Sequence, residues 1–370
     1  MMLGAGEVKK GRGAVNMNRN FRLWVSPTEA VLYITLILFA IGAVNVFSAS
    51  FVLAGQLLND SYFFLKRHIL TFIIGLIGLF IIARIDYHAL KRHRSWFGLL
   101  TVILLVAVEF SGVDANGARR WLNIGVKFQP SEVVKLAVIF LAAGYLGPRI
   151  DRGRPVTLFS APFYISLIAG YLVMKQPDMG TATIIIGLCL VMYILAGLPR
   201  DQLILLFAGS AALISYYTYA AAYRADRISA WLNPWAYQQS TGYQTVQSLL
   251  AIGSGGFFGT GLGMGASKFY YLPEPHTDFA FAVLCQEMGF IGGMVVLILL
   301  AMFVCYGGQI AGRAADGLGK MLAIGATVLV AGQAVVNIAM VTGVIPVIGV
   351  PLPFISFGGT SLVVNMRAWS

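Results

Sequence analysis

Again and again along this chain of 370 residues, the sequence runs apolar for about the distance needed to cross lipid. A bilayer core takes roughly 20 apolar residues per helix, fewer where flanking side chains snorkel. The candidate spans are Ala30–Phe47, Ile69–Ala83, Ser95–Val108, Val133–Leu146, Val156–Met174, Met179–Leu198 and Gln202–Tyr223, then Phe279–Ile310, Met321–Ile348 and Pro351–Val364. Lipid leaves only helices and closed barrels as spanning structures, because every backbone polar group must be satisfied within the protein. No segment alternates polar and apolar residues as a barrel strand does. The expected fold is therefore all-α: a polytopic membrane protein of about ten transmembrane helices. Composition agrees, with 58% hydrophobic and 11% charged residues against roughly 25% charged in soluble domains. That excludes a disordered chain, a soluble α/β enzyme and a nucleic-acid-binding module. The net charge of +11 fits loops facing anionic lipid and implies no nucleic-acid partner.

Orientation follows from the loops. With the N-terminus in the cytoplasm, 16 Lys and Arg fall in inside loops and 9 in outside loops, with Lys135 left within a span. The bias favours that orientation. Residues 1–29 then form a cytoplasmic tail that does not read as a cleavable signal, and residues 30–370 form one transmembrane domain. Residues 224–278 form a long extracytoplasmic loop between the seventh and eighth helices, of a length that tends to carry function. The last span stops early at Asn365-Met366-Arg367-Ala368-Trp369-Ser370 and reads as truncated. The thiols of Cys189, Cys285 and Cys305 are odd in number and lie in apolar segments, so buried, inert thiols are expected. His88 and His93 lie in a basic inside loop and read as solvated.

Ionisable groups at lipid depth are costly and so become functional candidates. Glu132 and Lys135 stand at i and i+3 on one helical face, either as a neutralised packing pair or as an anion-binding lysine tuned by its partner. Pro130 and Ser131 read as helix initiation. Arg119-Arg120-Trp121 is either an interfacial belt or a phosphate grip. Lys175-Gln176-Pro177-Asp178 forms a tight turn that keeps Asp178 near the outer boundary. The run IGSGGFFGTGLGMG fits neither a P-loop nor a dinucleotide fingerprint. It reads as a flexible or close-packed turn, with an anion-binding backbone nest as the sharper alternative. Asp278 is the last polar residue before the eighth span, in the position of a helix cap or of a boundary carboxylate, and Glu287 lies inside that span. No spacing matches a zinc site.

Taken in order, NGARRW, FQPSE with Lys135, QPDMGT, the stretch from GYQTVQSL to GLGMG, LPEPHTDFAFA and VPLPFISFGGTS resemble the SEDS family of FtsW, RodA and SpoVE. The resemblance runs from about Phe47 to Ser361, and NGARRW with the basic tail stands closer to FtsW, or to its sporulation relative, than to RodA, with FtsW taken as the nearest. It implies a glycosyltransferase of the bacterial cytoplasmic membrane that polymerises lipid II into peptidoglycan strands during cell division. A RodA-like role in elongation and a lipid II flippase are the alternatives. The implied partners are a class B penicillin-binding protein and other divisome membrane proteins. The implied catalytic residue is Asp278. Lys135, Glu132, Arg120, Gln129, Gln176, Asp178 and His276 would bind substrate. No cofactor is specified, and a divalent cation stays open. Gln286 departs from the family's usual Glu, and Pro275 from its usual Ala or Arg. The conspicuous polar groups cluster at the outer ends of spans, which favours chemistry on the outer face over transport.

Overall fold

The computed structural model describes residues 26–88, 94–115, 118–123, 127–219, 228–266 and 272–369. Eleven helices dominate them. They are α1 (Pro27–Leu58), α2 (Phe63–Ile82), α3 (Arg94–Ser111), α4 (Pro130–Asp151), α5 (Ala161–Lys175), α6 (Met179–Leu195), α7 (Arg200–Tyr219), α8 (Tyr243–Gly255), α9 (Ala280–Arg313), α10 (Gly317–Val341) and α11 (Gly359–Arg367). Of these α1, α2, α4, α9 and α10 are long and apolar enough to cross a membrane, and most of α3 and all of α5 and α6 form shorter apolar helices.

Local chemistry sets the helix starts. Ser26 caps α1 by accepting from Glu29 N at 3.2 Å, with Pro27 in the first turn. Asp178 caps α6 through Thr181 N at 3.0 Å, and Asp316 caps α10 through Gly319 N at 3.0 Å. Each side chain satisfies a backbone donor that the first turn leaves without a partner. Pro130 opens α4, where its missing N–H costs nothing.

Two buried clusters hold the bundle together. One gathers α1, α9 and the segment after α10, with Phe303, Phe354 and Leu38 fully buried. The other gathers α4, α5, α6 and α10 around Tyr193, Met192 and Leu146. On α2 the exposed residues Ile69, Ile73 and Ile77 recur at helical spacing and form an outward apolar stripe. That stripe suits contact with lipid.

Four features depart from the sequence reading. First, the loop after α3 forms a small antiparallel sheet in the order β1 (Val113–Ala115), β2 (Ala118–Asn123), β3 (Lys127–Phe128). Its strands are too short to bury an alternating face, which is why no pattern betrayed them. Second, the long loop is not structureless. It carries a 3-10 turn at Pro234–Tyr237 and the helix α8, whose end packs on α9. Third, the last span shrinks to the nine residues of α11, because Pro351 and Pro353 hold the preceding segment non-helical. Fourth, Cys305 is exposed rather than buried, and His88 is not simply solvated. The His88 ring bridges Asp86 at 2.9 Å and Asp316 at 3.1 Å, and the Asp86 hydrogen bond raises its pKa. His93, and the tail through residue 25, lie outside the described residues.

The glycine-rich run resolves as a close-packed turn. Gly289 breaks α9 with φ +67° and ψ −166°. The freed carbonyls of Gln286 and Glu287 accept from Thr260 N at 3.0 Å and Gly261 N at 3.1 Å. Phe290 N donates to Gly256 O at 2.9 Å. A Cβ on Gly289 would stand 2.3 Å from Gly259 N, so both glycines are needed for the backbones to meet.

Candidate functional site

Four connections meet at one end of the bundle, those between α3 and α4, α5 and α6, α8 and α9, and α10 and α11, and hydrogen bonds fasten them there. Arg120, on β2, donates through Nε to Gln176 O at 3.1 Å and also to Pro177 O, clasping the turn between α5 and α6. Gln176 Nε2 reaches Leu105 O of α3 at 3.1 Å. Gln129, at the start of α4, donates through Nε2 to Asp178 Oδ2 at 3.1 Å. Asp178 thus spends one oxygen on its helix cap and the other on Gln129.

Asp278 stands at the head of α9 in the same region. The cap position of that helix falls to Phe279, with no side-chain cap bond, so Asp278 does not serve as the cap. Its backbone carbonyl accepts from Asn337 Nδ2 at 2.8 Å, and the same Nδ2 reaches Val350 O at 2.6 Å. A Cβ added to Gly349, where φ is +70°, would lie 3.2 Å from Asp278 Oδ2. The loop after α10 therefore closes directly over the carboxylate. Burial pushes the Asp278 pKa from 3.8 up to about 6. The negative charges of Glu274 and Asp178 add to the rise, and the Arg120 guanidinium opposes it. A partly buried carboxylate poised near 6 is ionised at neutral pH and holds a proton more tightly than an ordinary aspartate, as a general base requires.

His276 sits two residues upstream. It is buried, with its ring 4.4 Å from Phe64 and 5.8 Å from Phe357, centroid to centroid. Its backbone carbonyl accepts from Phe357 N at 2.8 Å. Burial lowers the imidazole pKa, with Glu274 in partial opposition. The ring Nδ1 is buried and has no hydrogen-bond partner among the described residues.

Glu132 and Lys135 follow Gln129 by about one and two turns along α4, with Glu132 N donating to Gln129 O at 3.2 Å. Lys135 is six residues along α4 from Gln129, about 9 Å deeper at 1.5 Å per residue. Lys135 Nζ is 2.8 Å from Glu132 Oε2, with side chains 1% and 4% exposed. Of the residues marked in the sequence, Arg120, Gln129, Gln176, Asp178 and Asp278 come together, while the ion pair is buried beneath them. Reading the sequence missed Asn337 and Gly349. The signal for Asn337 was available, since it is a lone amide within an apolar span. Among the described residues no three His, Cys, Asp or Glu side chains converge.

Comparison with known proteins returns a consistent set. A family model for FtsW, RodA and SpoVE, described as cell cycle protein, matches residues 28–370. Stage V sporulation protein E of Bacillus subtilis is 42% identical over 355 residues, covering 93% of this chain and 95% of that protein. A probable peptidoglycan glycosyltransferase FtsW from a Geobacter species is 41% identical, covering 91% of this chain and 93% of the relative. Among solved structures, a chain of a peptidoglycan synthase complex that coordinates polymerization and crosslinking matches with TM-score 0.77. It is 26% identical, and the match covers 93% of this chain and 96% of that one. The Thermus thermophilus rod shape determining protein RodA matches with TM-score 0.66 at 25% identity, covering 91% of this chain and 92% of that one.

Proposed function

This chain belongs to the FtsW, RodA and SpoVE family, and from that premise we propose that it is a peptidoglycan glycosyltransferase polymerising lipid II at the outer face of the bacterial cytoplasmic membrane. The observation that carries the chemistry is the Asp278 carboxylate, partly buried and raised to about 6, beside Arg120 and under the Gly349 loop.

In this reading Asp278 takes the proton from the 4-hydroxyl of the incoming disaccharide. That oxygen attacks the anomeric carbon of the growing strand. The bond from that carbon to the pyrophosphate oxygen breaks, the pyrophosphate leaves with the electron pair, and the configuration inverts. Arg120 stands where a cation can meet the departing pyrophosphate, using guanidinium positions beyond its two carbonyl bonds. Gln129, Gln176 and Asp178 shape the wall on the α4 and α6 side, and His276 supports the segment leading to Asp278. Lys135, paired at 2.8 Å with Glu132, follows Gln129 along α4 and supplies a second cation for the pyrophosphate, with Glu132 tuning it. The N-terminus is cytoplasmic, which sets Asp278 outside. A class B penicillin-binding protein supplies the cross-linking partner. Residues 30–370 act as one transmembrane domain. A role in division, among other divisome proteins, is supported by NGARRW and by the similarity to FtsW proteins.

The test is purified full-length protein with its partner, incubated with labelled lipid II. Wild type forms glycan strands, and Asp278→Asn, inserted and partner-bound, forms none, because an amide cannot take the proton. Near wild-type polymerisation by Asp278→Asn removes Asp278 as the base. Movement of lipid II across vesicles without polymer would favour a flippase.

A further inference from the structure

The residue that performs the reaction is placed by a piece of helix that is itself unusual. Between Asp278 and the break at Gly289, residues 280–287 are buried on every face, from Ala280 at 0% to Glu287 at 2% exposure. An ordinary helix of a bundle keeps one polar or lipid-facing side. This short segment is instead a buried peg carrying Asp278 just before its first residue.

Both ends of the peg are fastened by polar contacts. At the Asp278 end Asn45 Nδ2 of α1 donates to Ala280 O at 2.8 Å, and Asn337 of α10 donates to Asp278 O at 2.8 Å. At the Gly289 end the Ser48 hydroxyl of α1 lies 2.6 and 2.7 Å from the two Glu287 carboxylate oxygens. Gln286 Nε2 reaches Ser254 Oγ of α8 at 2.9 Å. Apolar packing does not fix this second end unaided. A cavity of about 310 Å³ opens beside it, lined by Ala40, Val44, Asn45, Leu262, Glu287 and Met288. The break at Gly289 separates the peg from the outward-facing remainder of α9, where Ile291, Val295 and Ile298 are exposed.

We propose that Ser48 and Glu287, with the Gly289 break, are positioning residues for the polymerisation reaction: they hold the peg in register so that Asp278 meets the attacking hydroxyl. This rests on the reading of Asp278 as the base. The distance argument is simple. Asn45 and Ser48 stand three residues apart on one face of α1 and grip opposite ends of the peg, so the Ser48–Glu287 hydrogen bond helps set the position and rotation of the Asp278 carboxylate. A base misplaced by about 1 Å can lose on the order of 100-fold in rate, while substrate contacts made by other elements persist.

The experiment uses the full chain with its partner and labelled lipid II, comparing Ser48→Ala, Glu287→Leu and Glu287→Gln with wild type and with Asp278→Asn. Ser48→Ala and Glu287→Leu are expected to lower kcat by about tenfold or more with KM within about twofold. Glu287→Gln keeps an oxygen that can accept from Ser48 and is expected to retain most of the rate. Thermal unfolding of each variant separates loss of fold from loss of position, and Ser48→Ala, which removes one hydroxyl, is the least disruptive. Wild-type kcat in folded Ser48→Ala and Glu287→Leu overturns the proposal, and so does a rise in KM alone. Equal losses in Glu287→Gln and Glu287→Leu overturn the hydrogen-bond account. An active Asp278→Asn instead overturns the base reading, so the two failures are told apart.

Discussion

Lys135→Met should destabilise this protein more than Lys135→Met combined with Glu132→Gln. The two charges are 2.8 Å apart and almost wholly buried. At an effective dielectric of about 20 their attraction is about 6 kcal/mol. Removing both from water costs several kcal/mol each, so the pair as a whole contributes little net stability. Breaking it is different, because the surviving carboxylate stays buried without its counter-charge, at a cost of about 3–5 kcal/mol. Replacing both partners by neutral groups of similar volume removes that penalty and should return stability to within about 1 kcal/mol of wild type. The assay is thermal unfolding of detergent-purified single and double variants, read as a double-mutant cycle. If the double change costs the sum of the single ones, the charges are not coupled and the argument fails. Activity then decides the role: a stable double variant that polymerises lipid II normally makes the pair structural, and a stable but inactive one puts the lysine charge in the reaction.

The pH dependence of the reaction and of stability should run in opposite senses. Polymerisation should rise with pH through about 6 as Asp278 ionises. Its folded pKa is raised, so the stability it contributes is complete below 3.8 and is lost as pH climbs through about 6, to the extent of about 3 kcal/mol; subtracting the profile of Asp278→Asn isolates this slope, and an unchanged slope in that variant would refute the assignment. Asn337→Ala should cost about 1–3 kcal/mol in thermal unfolding by leaving the buried carbonyls of Asp278 and Val350 without their donor, and a change below 0.5 kcal/mol would count against its bridging role. Single cysteines at Arg92 and Tyr237 should react with an impermeant reagent from the cytoplasmic and outer sides respectively, and labelling of Tyr237→Cys only from the cytoplasm would invert the topology.

The helices were legible because lipid imposes one rule, that backbone groups pair within the span, and apolar length records it. The rule loses force where backbone leaves the helix yet stays apolar. VPLPFISFGGTS reads as part of a span, but Pro351 and Pro353 remove donors and only residues from Gly359 onward close helical bonds. Similarly α10 ends at Val341, before the apolar run does, where Gly343 takes φ +75°. The sheet at 113–128 was hidden for the opposite reason: strands this short make their bonds without needing an alternating pattern.

The site was legible only in part, and the division follows charge. Arg120, Asp178 and Asp278 stand out as ionisable groups at span boundaries, where each demands an explanation. The neutral side chains that hold them do not stand out. Asn45, Ser48 and Asn337 look like tolerable interruptions of apolar helices, yet each is bonded to a backbone carbonyl or a carboxylate on another segment of the chain. Their partners lie 235, 239 and 59 positions away, and no local pattern carries information over such separations. In a membrane bundle a small polar residue facing inward has no water to satisfy it, so its partner must be protein. The buried amides and hydroxyls of the spans therefore deserve the same suspicion as the charges, since at this site they fix where the charged groups point.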